Sequence, residues 1–280
     1  MVFYENLKSF KKKIALVHNN QTISYEKLLN NSKIISKKIE KKSLVFLLID
    51  NDFESISSII ATEFSNSVAM LLNFNINSEM LQNLIKAYNP DYLFFNKKKK
   101  LKLISFETRL NFYDYTLLKN KNNFKKKINS DLFILQSTSG STGSPKNVRI
   151  SYENLITNTN SIISDLNIQE NDVAITTLPI NYVYGLSIIN THLKAGAKIV
   201  LNKNSVFESQ FWKKLISTEC NNFGGVPFTY EILTKIGLKE EYFKYIKYST
   251  VAGGHLKKEI KLKILDFYEK NNISLICMYG

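Results

Sequence analysis

The stretch LQSTSGSTGSPKNVRIS, Leu135–Ser151, decides how the rest of the chain is read. It crowds Ser, Thr and Gly around one Pro and one Lys. Before it runs the apolar segment DLFILQS, which reads as a strand, and after it the helical pattern YENLITNTNSIISDL. A strand ending in a Ser/Thr/Gly loop that feeds a helix is a phosphate-binding arrangement. Glycines let backbone N–H groups close on an anion, hydroxyls donate further hydrogen bonds, and a helix N-terminus adds positive potential. Two other phosphate loops are excluded by spacing. Counted from Gly140, a Walker loop would need Gly-Lys-Ser/Thr where the chain has Pro145-Lys146-Asn147, and there is no GxGxxG. Ser151 is placed to cap the following helix, with Glu153 in its first turn, where a negative charge suits the helix dipole.

Outward from the loop, both flanks alternate strand and helix. Upstream, IALVH and QTIS flank Asn19-Asn20 as a hairpin, and Ser24 precedes the helical pattern YEKLLNNSKIISKKIE. SLVFLLID, FESISSIIATEF, SVAMLLN, SEMLQNLIKAY and DYLFFN follow. Downstream come DVAITTL, YGLSIINTHLKA, AKIVLN, ESQFWKKLIST, NNFGGV, TYEILTKI, YIKYSTVAGG, LKKEIKLKILDFYEK and NISLICMYG. This alternation predicts an α/β fold, with parallel sheets flanked by helices in two sub-lobes. The first sub-lobe, with the hairpin, is expected over 1–95. A basic linker or edge segment spans 96–130, and a second sub-lobe carrying the phosphate loop spans 131–280.

Bulk composition narrows the function. The chain has 280 residues, 44% of them hydrophobic, enough for two packed lobes. No apolar run reaches the ~20 residues of a membrane span, and the N-terminus lacks the order of a secretory signal. The chain therefore reads as cytoplasmic. Cys220 and Cys277 stand alone, so neither a disulfide framework nor metal-ligand spacing is present. The net charge of +14 is nearly all Lys, with Arg109 and Arg149 the only arginines. Nucleic-acid recognition favours the planar guanidinium, so the Lys runs at 97–100 and 125–127 read as solvated loops.

The order S-T-S-G-S-T-G-x-P-K resembles the signature loop of the adenylate-forming (AMP-binding) superfamily, which includes acyl-CoA synthetases and adenylation domains. Further segments match in the family's order. LPINYVYGLS (Leu178–Ser187) resembles LPxxHxYGL, and GGVPFTYEIL (Gly224–Leu233) resembles the VP-containing substrate segment. VAGGHL (Val251–Leu256) resembles the GGAPL loop, and CMYG (Cys277–Gly280) resembles the start of YGxTE. The resemblance implies the large domain of an acyl-adenylate-forming ligase. Such an enzyme activates a small carboxylic acid with ATP and passes the acyl group to a thiol of CoA or of phosphopantetheine on an acyl carrier protein. It further implies that Thr138, Ser139, Gly140, Ser141, Thr142, Gly143 and Lys146 hold the phosphates, with Thr142 and Lys146 acting in catalysis. Gly253, Gly254, Tyr279 and Gly280 would meet the nucleotide. Tyr182, Tyr184, Gly185, Val226 and Pro227 would form the substrate pocket. Mg2+ is expected, but no residue of this chain is assigned to it.

The sequence also departs from the family pattern. Asn147, Tyr152 and Tyr182 replace a usual Gly, His and His. The chain stops inside the last motif. The Mg-binding Glu, the ribose Asp and the distal catalytic Lys are thus missing, and a truncated chain is expected. The competing expectation is a fragment or subunit that binds nucleotide or protein without chemistry. Leu178–Asn190 holds no acidic residue to pair with a substrate ammonium, which favours a non-amino acid.

Overall fold

The structure, a computed structural model, describes residues 3–279 apart from 20, 102, 123–126 and 138–146. A 3-10 turn (Glu5–Phe10) precedes β1 (Ile14–His18), β2 (Gln21–Ser24), α1 (Tyr25–Ser36), β3 (Leu44–Ile49) and α2 (Phe53–Phe64). Next come β4 (Val68–Asn73), α3 (Ser78–Tyr88), β5 (Tyr92–Asn96), β6 (Phe106–Phe112) and β7 (Tyr115–Asn120). β8 (Leu132–Ser137), β9 (Asn147–Ser151), α4 (Tyr152–Leu166), β10 (Val173–Ile175) and α5 (Val183–Lys194) follow. The last part holds β11 (Lys198–Val200), α6 (Ser209–Ser217), β12 (Asn222–Gly225), α7 (Pro227–Ile236) and α8 (Glu240–Phe243). β13 (Tyr248–Val251), α9 (Lys258–Lys270) and β14 (Ser274–Cys277) complete it. The chain divides into two compact units, one of 1–12 with 24–161 and the other of 13–23 with 162–280.

The first unit is built on a sheet of order β6-β7-β5-β3-β4-β8-β9. β3, β4, β5 and β8 run parallel, whereas β6, β7 and β9 are antiparallel additions. Every residue of β3, LVFLLI, is buried, as a central parallel strand covered on both faces requires. α2 is buried nearly all round in spite of its serines, because the helix itself satisfies them. Ser57, Ser58 and Thr62 donate to the carbonyls of Phe53, Ser55 and Ile59, each at 2.7 Å. Its N-cap, Asp52, accepts from Ser55 N at 3.0 Å and from the Tyr115 hydroxyl at 2.8 Å, tying the helix to β7. The segment expected as a linker at 96–130 therefore lies within this unit, since β6 and β7 extend its sheet beside β5.

The segment before α4 differs from the expectation. Before α4 begins, Asn147–Ser151 returns as β9, antiparallel to β8, with Ser137 opposite Asn147. A strand thus precedes the helix where the sequence predicted a direct entry. NVRIS carries only two apolar residues, at alternate positions, and occupies the sheet edge, which leaves a weak strand signal. Ser151 does cap α4. Its Oγ accepts from Asn154 N at 3.1 Å, and its own N–H donates to Asn154 Oδ1 at 3.3 Å, a reciprocal capping box.

The second unit is built on a sheet of order β14-β13-β12-β10-β11-β1-β2, parallel from β14 through β1. Its core is aromatic and includes Phe211, Trp212, Phe223, Tyr230, Phe243 and Tyr268. The indole N–H of Trp212 donates to Val206 O at 2.9 Å, so the buried ring leaves no unpaired donor. β10, β12, β13 and β14 all end at one edge of this sheet, and the segments that leave those ends carry the remaining motifs. Crevices outside the carboxyl ends of parallel strands are where such folds place ligands.

Candidate functional site

Three motifs far apart in sequence meet at the strand ends of the second unit. The turn Leu178–Asn181 precedes α5, and Gly185 in the first turn of that helix lies against it. A Cβ on Gly185 would stand 2.2 Å from Pro179 O and 3.2 Å from Leu178 O, so only glycine allows this approach. The turn is further held by Tyr182 N, which donates to Pro179 O at 3.0 Å. Pro179 and Gly185 thereby fix where Tyr182 and Tyr184 emerge.

Tyr182 reaches the loop after β13. A Cβ on Gly253 would stand 2.7 Å from Tyr182 Oη and 3.4 Å from Val226 Cγ1, and Gly253 has φ of +80°. The positive φ favours glycine there, and a Cβ would displace the Tyr182 hydroxyl. A Cβ on Gly254 would touch Pro227 Cγ at 3.3 Å. Gly253 and Gly254 are exposed, and the partly open Tyr182 lies beside them. The result is an exposed glycine peptide beside an aromatic ring, a chemistry suited to a planar base.

Tyr184 points inward. Its hydroxyl donates to Thr250 O at 2.9 Å and also meets Thr250 Oγ1. Burial pushes its pKa up to about 12, so it is a neutral donor at all working pH values. Gly224 lies beneath it, and a Cβ there would be 2.8 Å from both Tyr184 Oη and Ile188 Cδ1. Tyr184, Ile188, Leu178 and Ala174 form a small apolar cluster, with Val226, Ala252 and Met278 packed against it. Met278 N donates to Val251 O at 2.8 Å, which lays the 278–279 segment beside the glycine loop, and Tyr279 is fully exposed there.

Of the residues marked in the sequence, the structure brings together Tyr182, Tyr184, Gly185, Val226, Pro227, Gly253 and Gly254. Thr138, Ser139, Gly140, Ser141, Thr142, Gly143, Lys146 and Gly280 lie outside the described residues. Thr250 and Thr177, whose hydroxyl donates to Gly224 O, belong to the same cluster and carried no motif. The signal that could have found the helix face is the stripe Tyr184, Ser187, Ile188, Thr191, spaced three and four apart with polar groups turned inward. A larger recess, about 1300 Å3, lies in the first unit. Lys8, Lys33, Glu63 and Glu153 help to line it, and none of the expected site residues does.

Comparison with known proteins gives the family. The model of the AMP-binding enzyme family matches residues 3–280. A 2-succinylbenzoate–CoA ligase of Staphylococcus epidermidis is 24% identical over 242 residues, 85% of this chain and 50% of that protein. A D-alanine–D-alanyl carrier protein ligase of Lactococcus lactis is 23% identical over 276 residues, 93% of this chain and 55% of that protein. This chain thus spans about half the length of both relatives. Among solved structures, the O-succinylbenzoate coenzyme A synthetase MenE from Bacillus subtilis in complex with AMP superposes with a TM-score of 0.76. It has 18% identity, covering 99% of this chain and 58% of that one. CmiS6 superposes with a TM-score of 0.85 at 14% identity, covering 100% of this chain and 71% of that one.

Proposed function

The chain belongs to the AMP-binding enzyme family, and from that premise we propose that it takes part in ATP-dependent activation of a carboxylic acid as an acyl-adenylate, for transfer to the thiol of CoA or of a carrier protein. The observation that carries this reading is the meeting of Tyr182, Val226, Pro227, Gly253 and Gly254 at the ends of β10, β12 and β13. On this reading the base stacks over the Gly253–Gly254 peptide, and the phosphates are assigned by the sequence to Thr138–Lys146. Tyr184 and the apolar cluster beneath it would receive the acid.

In the first half-reaction a carboxylate oxygen attacks the α-phosphorus and the bond to the leaving pyrophosphate breaks. Negative charge grows on that leaving group. Lys146 and the hydroxyls of Thr138, Ser139, Ser141 and Thr142 are the groups assigned to stabilise it. The adenine of ATP is assigned to the exposed glycine peptide beside Tyr182. The acid is a non-amino carboxylate on this reading, because α5 and the turn before it present no carboxylate to an ammonium. The test is exchange of labelled pyrophosphate into ATP. Exchange that rises with added carboxylic acid and falls at least tenfold in Lys146→Ala supports the assignment. Exchange equal in both proteins, or independent of acid, overturns it.

A further inference from the structure

The strand β12, NFGG, ends in two glycines inside a buried sheet, where glycine ordinarily weakens a strand. Consecutive residues of a strand face opposite ways, and each of these glycines makes room for a tyrosine. A Cβ on Gly224 would stand 2.8 Å from Tyr184 Oη of α5, and one on Gly225 would stand 3.0 Å from Tyr230 Cε2 of α7. The two rings therefore lie against β12 from opposite faces of the second sheet. Both are buried, and both hydroxyls reach the same atom of the neighbouring strand β13. Tyr184 donates to Thr250 O at 2.9 Å, and Tyr230 donates to it at 2.8 Å.

The same alternation sorts the side chains of β13. Thr250 Oγ1 turns to Tyr184, and the Gly225 N–H also faces the oxygen of that tyrosine. Ser249 Oγ turns the other way, 3.0 Å from the Tyr230 hydroxyl and 2.9 Å from that of Tyr268 on α9. Burial raises the pKa of all three tyrosines, so each keeps its proton. One chain of hydrogen bonds thus crosses the sheet at β13, from Tyr184 through Thr250, Tyr230 and Ser249 to Tyr268. Its members are not equivalent. Tyr184 and Tyr230 hold a backbone carbonyl, whereas Tyr268 bonds a serine side chain at the far end.

That carbonyl lies between the two parts of the candidate site. Val251 ends β13, and Ala252 leads on to the Gly253–Gly254 peptide. On the other side, Tyr184 belongs to the apolar cluster assigned to the acid. We infer that Tyr230 is a positioning residue. By holding Thr250 O from the face opposite Tyr184, it fixes the spacing between the acid pocket and the glycine peptide. Its own ring is fully buried beneath α7 and touches neither ligand. A nucleotide alone can follow the glycine loop if that loop shifts, but an acyl-adenylate must fill both places at once. This rests on the acid-activating reading above.

The test is calorimetric titration of the full chain with AMP and with an acyl-sulfamoyl adenosine, which carries both ends of an acyl-adenylate. Tyr230→Phe removes one hydroxyl and keeps the ring. It is expected to weaken the analogue about five- to tenfold, the range of one neutral hydrogen bond, while AMP stays within about twofold. Tyr268→Phe is the matched control. It removes a buried hydroxyl from the same chain without freeing Thr250 O, so both affinities should stay within about twofold. Gly225→Ala, whose Cβ would press on the Tyr230 ring, serves as a second variant if Tyr230→Phe fails to fold, with the same split expected. Equal weakening of both ligands, weakening of neither, or the same split in Tyr268→Phe overturns the proposal while the acid-activating reading stands. If the unaltered chain binds the analogue no more tightly than AMP, or binds neither, that reading fails and the proposal fails with it.

Discussion

Gly185→Ala sets two effects of opposite sign against each other. Alanine is the better helix former, and the exchange in a free helix interior would stabilise by up to about 1 kcal/mol, less in a first turn. Against this, the new Cβ would lie 2.2 Å from Pro179 O and 2.8 Å from Pro179 C. Both are backbone atoms that cannot swing aside as a side-chain end does. Relief needs a shift of about 1 Å between the turn and α5, and overpacking of this kind costs roughly 1–3 kcal/mol. The same shift strains the bond from Tyr182 N to Pro179 O, a further ~1 kcal/mol. Sterics win, for a net loss near 2 kcal/mol. The chain's single tryptophan, Trp212, is buried in the core of the same unit, so its fluorescence reports on that unit during urea unfolding. With a slope of about 1–3 kcal/mol per molar urea, the midpoint should drop by roughly 1 M with the slope unchanged. Gly237→Ala is the contrast. A Cβ there meets nothing within 4 Å, but φ of +87° with ψ of 135° is a backbone conformation that side chains rarely adopt, so its loss, about 1–3 kcal/mol, comes from backbone strain and not from contact. A Gly185→Ala midpoint equal to or above that of the unaltered chain would refute the packing argument.

Gly253→Ala should weaken AMP binding about tenfold in calorimetry, by moving both the 253–254 peptide and the Tyr182 hydroxyl. Adding Tyr182→Phe should recover part of that loss, whereas unchanged affinity in the single variant would separate this loop from the nucleotide. Glu63 accepts from the backbone N–H groups of Phe3 and Tyr4, and burial raises its pKa from 4.5 to about 7. Between those values the folded chain holds a proton that the unfolded chain has released. Stability contributed by this group is therefore full below about 4.5 and is lost as pH rises toward 7, on the order of 3 kcal/mol at most. Urea midpoints measured across that window should fall less steeply in Glu63→Gln, and parallel slopes would contradict the assignment. Ser151→Ala removes the acceptor for Asn154 N and should cost α4 about 1 kcal/mol, read as faster amide exchange in its first turn.

Where the sequence was legible, one physical signal dominated. LVFLLI and VAMLL are apolar at every position, which only a strand buried on both faces tolerates, and they alternate with capped helices. Ser24 accepts from Lys27 N at 3.1 Å and starts α1 where the pattern placed it. The same helix ends at Ser36 rather than at Glu40, because the Lys37-Lys38 tail leaves the apolar stripe and bonds tighten to three-residue spacing. β9 was hidden by its edge position, and α8, EEYF, is too short to show a period. Tyr182, Val226, Pro227 and Gly253 were marked through the family resemblance of their motifs, and the fold brings them together at the strand ends. The bond from Tyr184 to Thr250 was not legible. Thr250 sits within an ordinary strand, and its part depends on which face of the sheet it turns to.

The account turns on whether this chain holds an acyl-adenylate. The most direct measurement is calorimetric titration with a hydrolysis-resistant acyl-sulfamoyl adenosine, which joins an acyl group to adenosine as the intermediate does. The account predicts saturable binding at least about 100-fold tighter than AMP, because both ends of the molecule are engaged at once. The gain should be lost in Gly253→Ala. An analogue that binds no more tightly than AMP, or not at all, would contradict it.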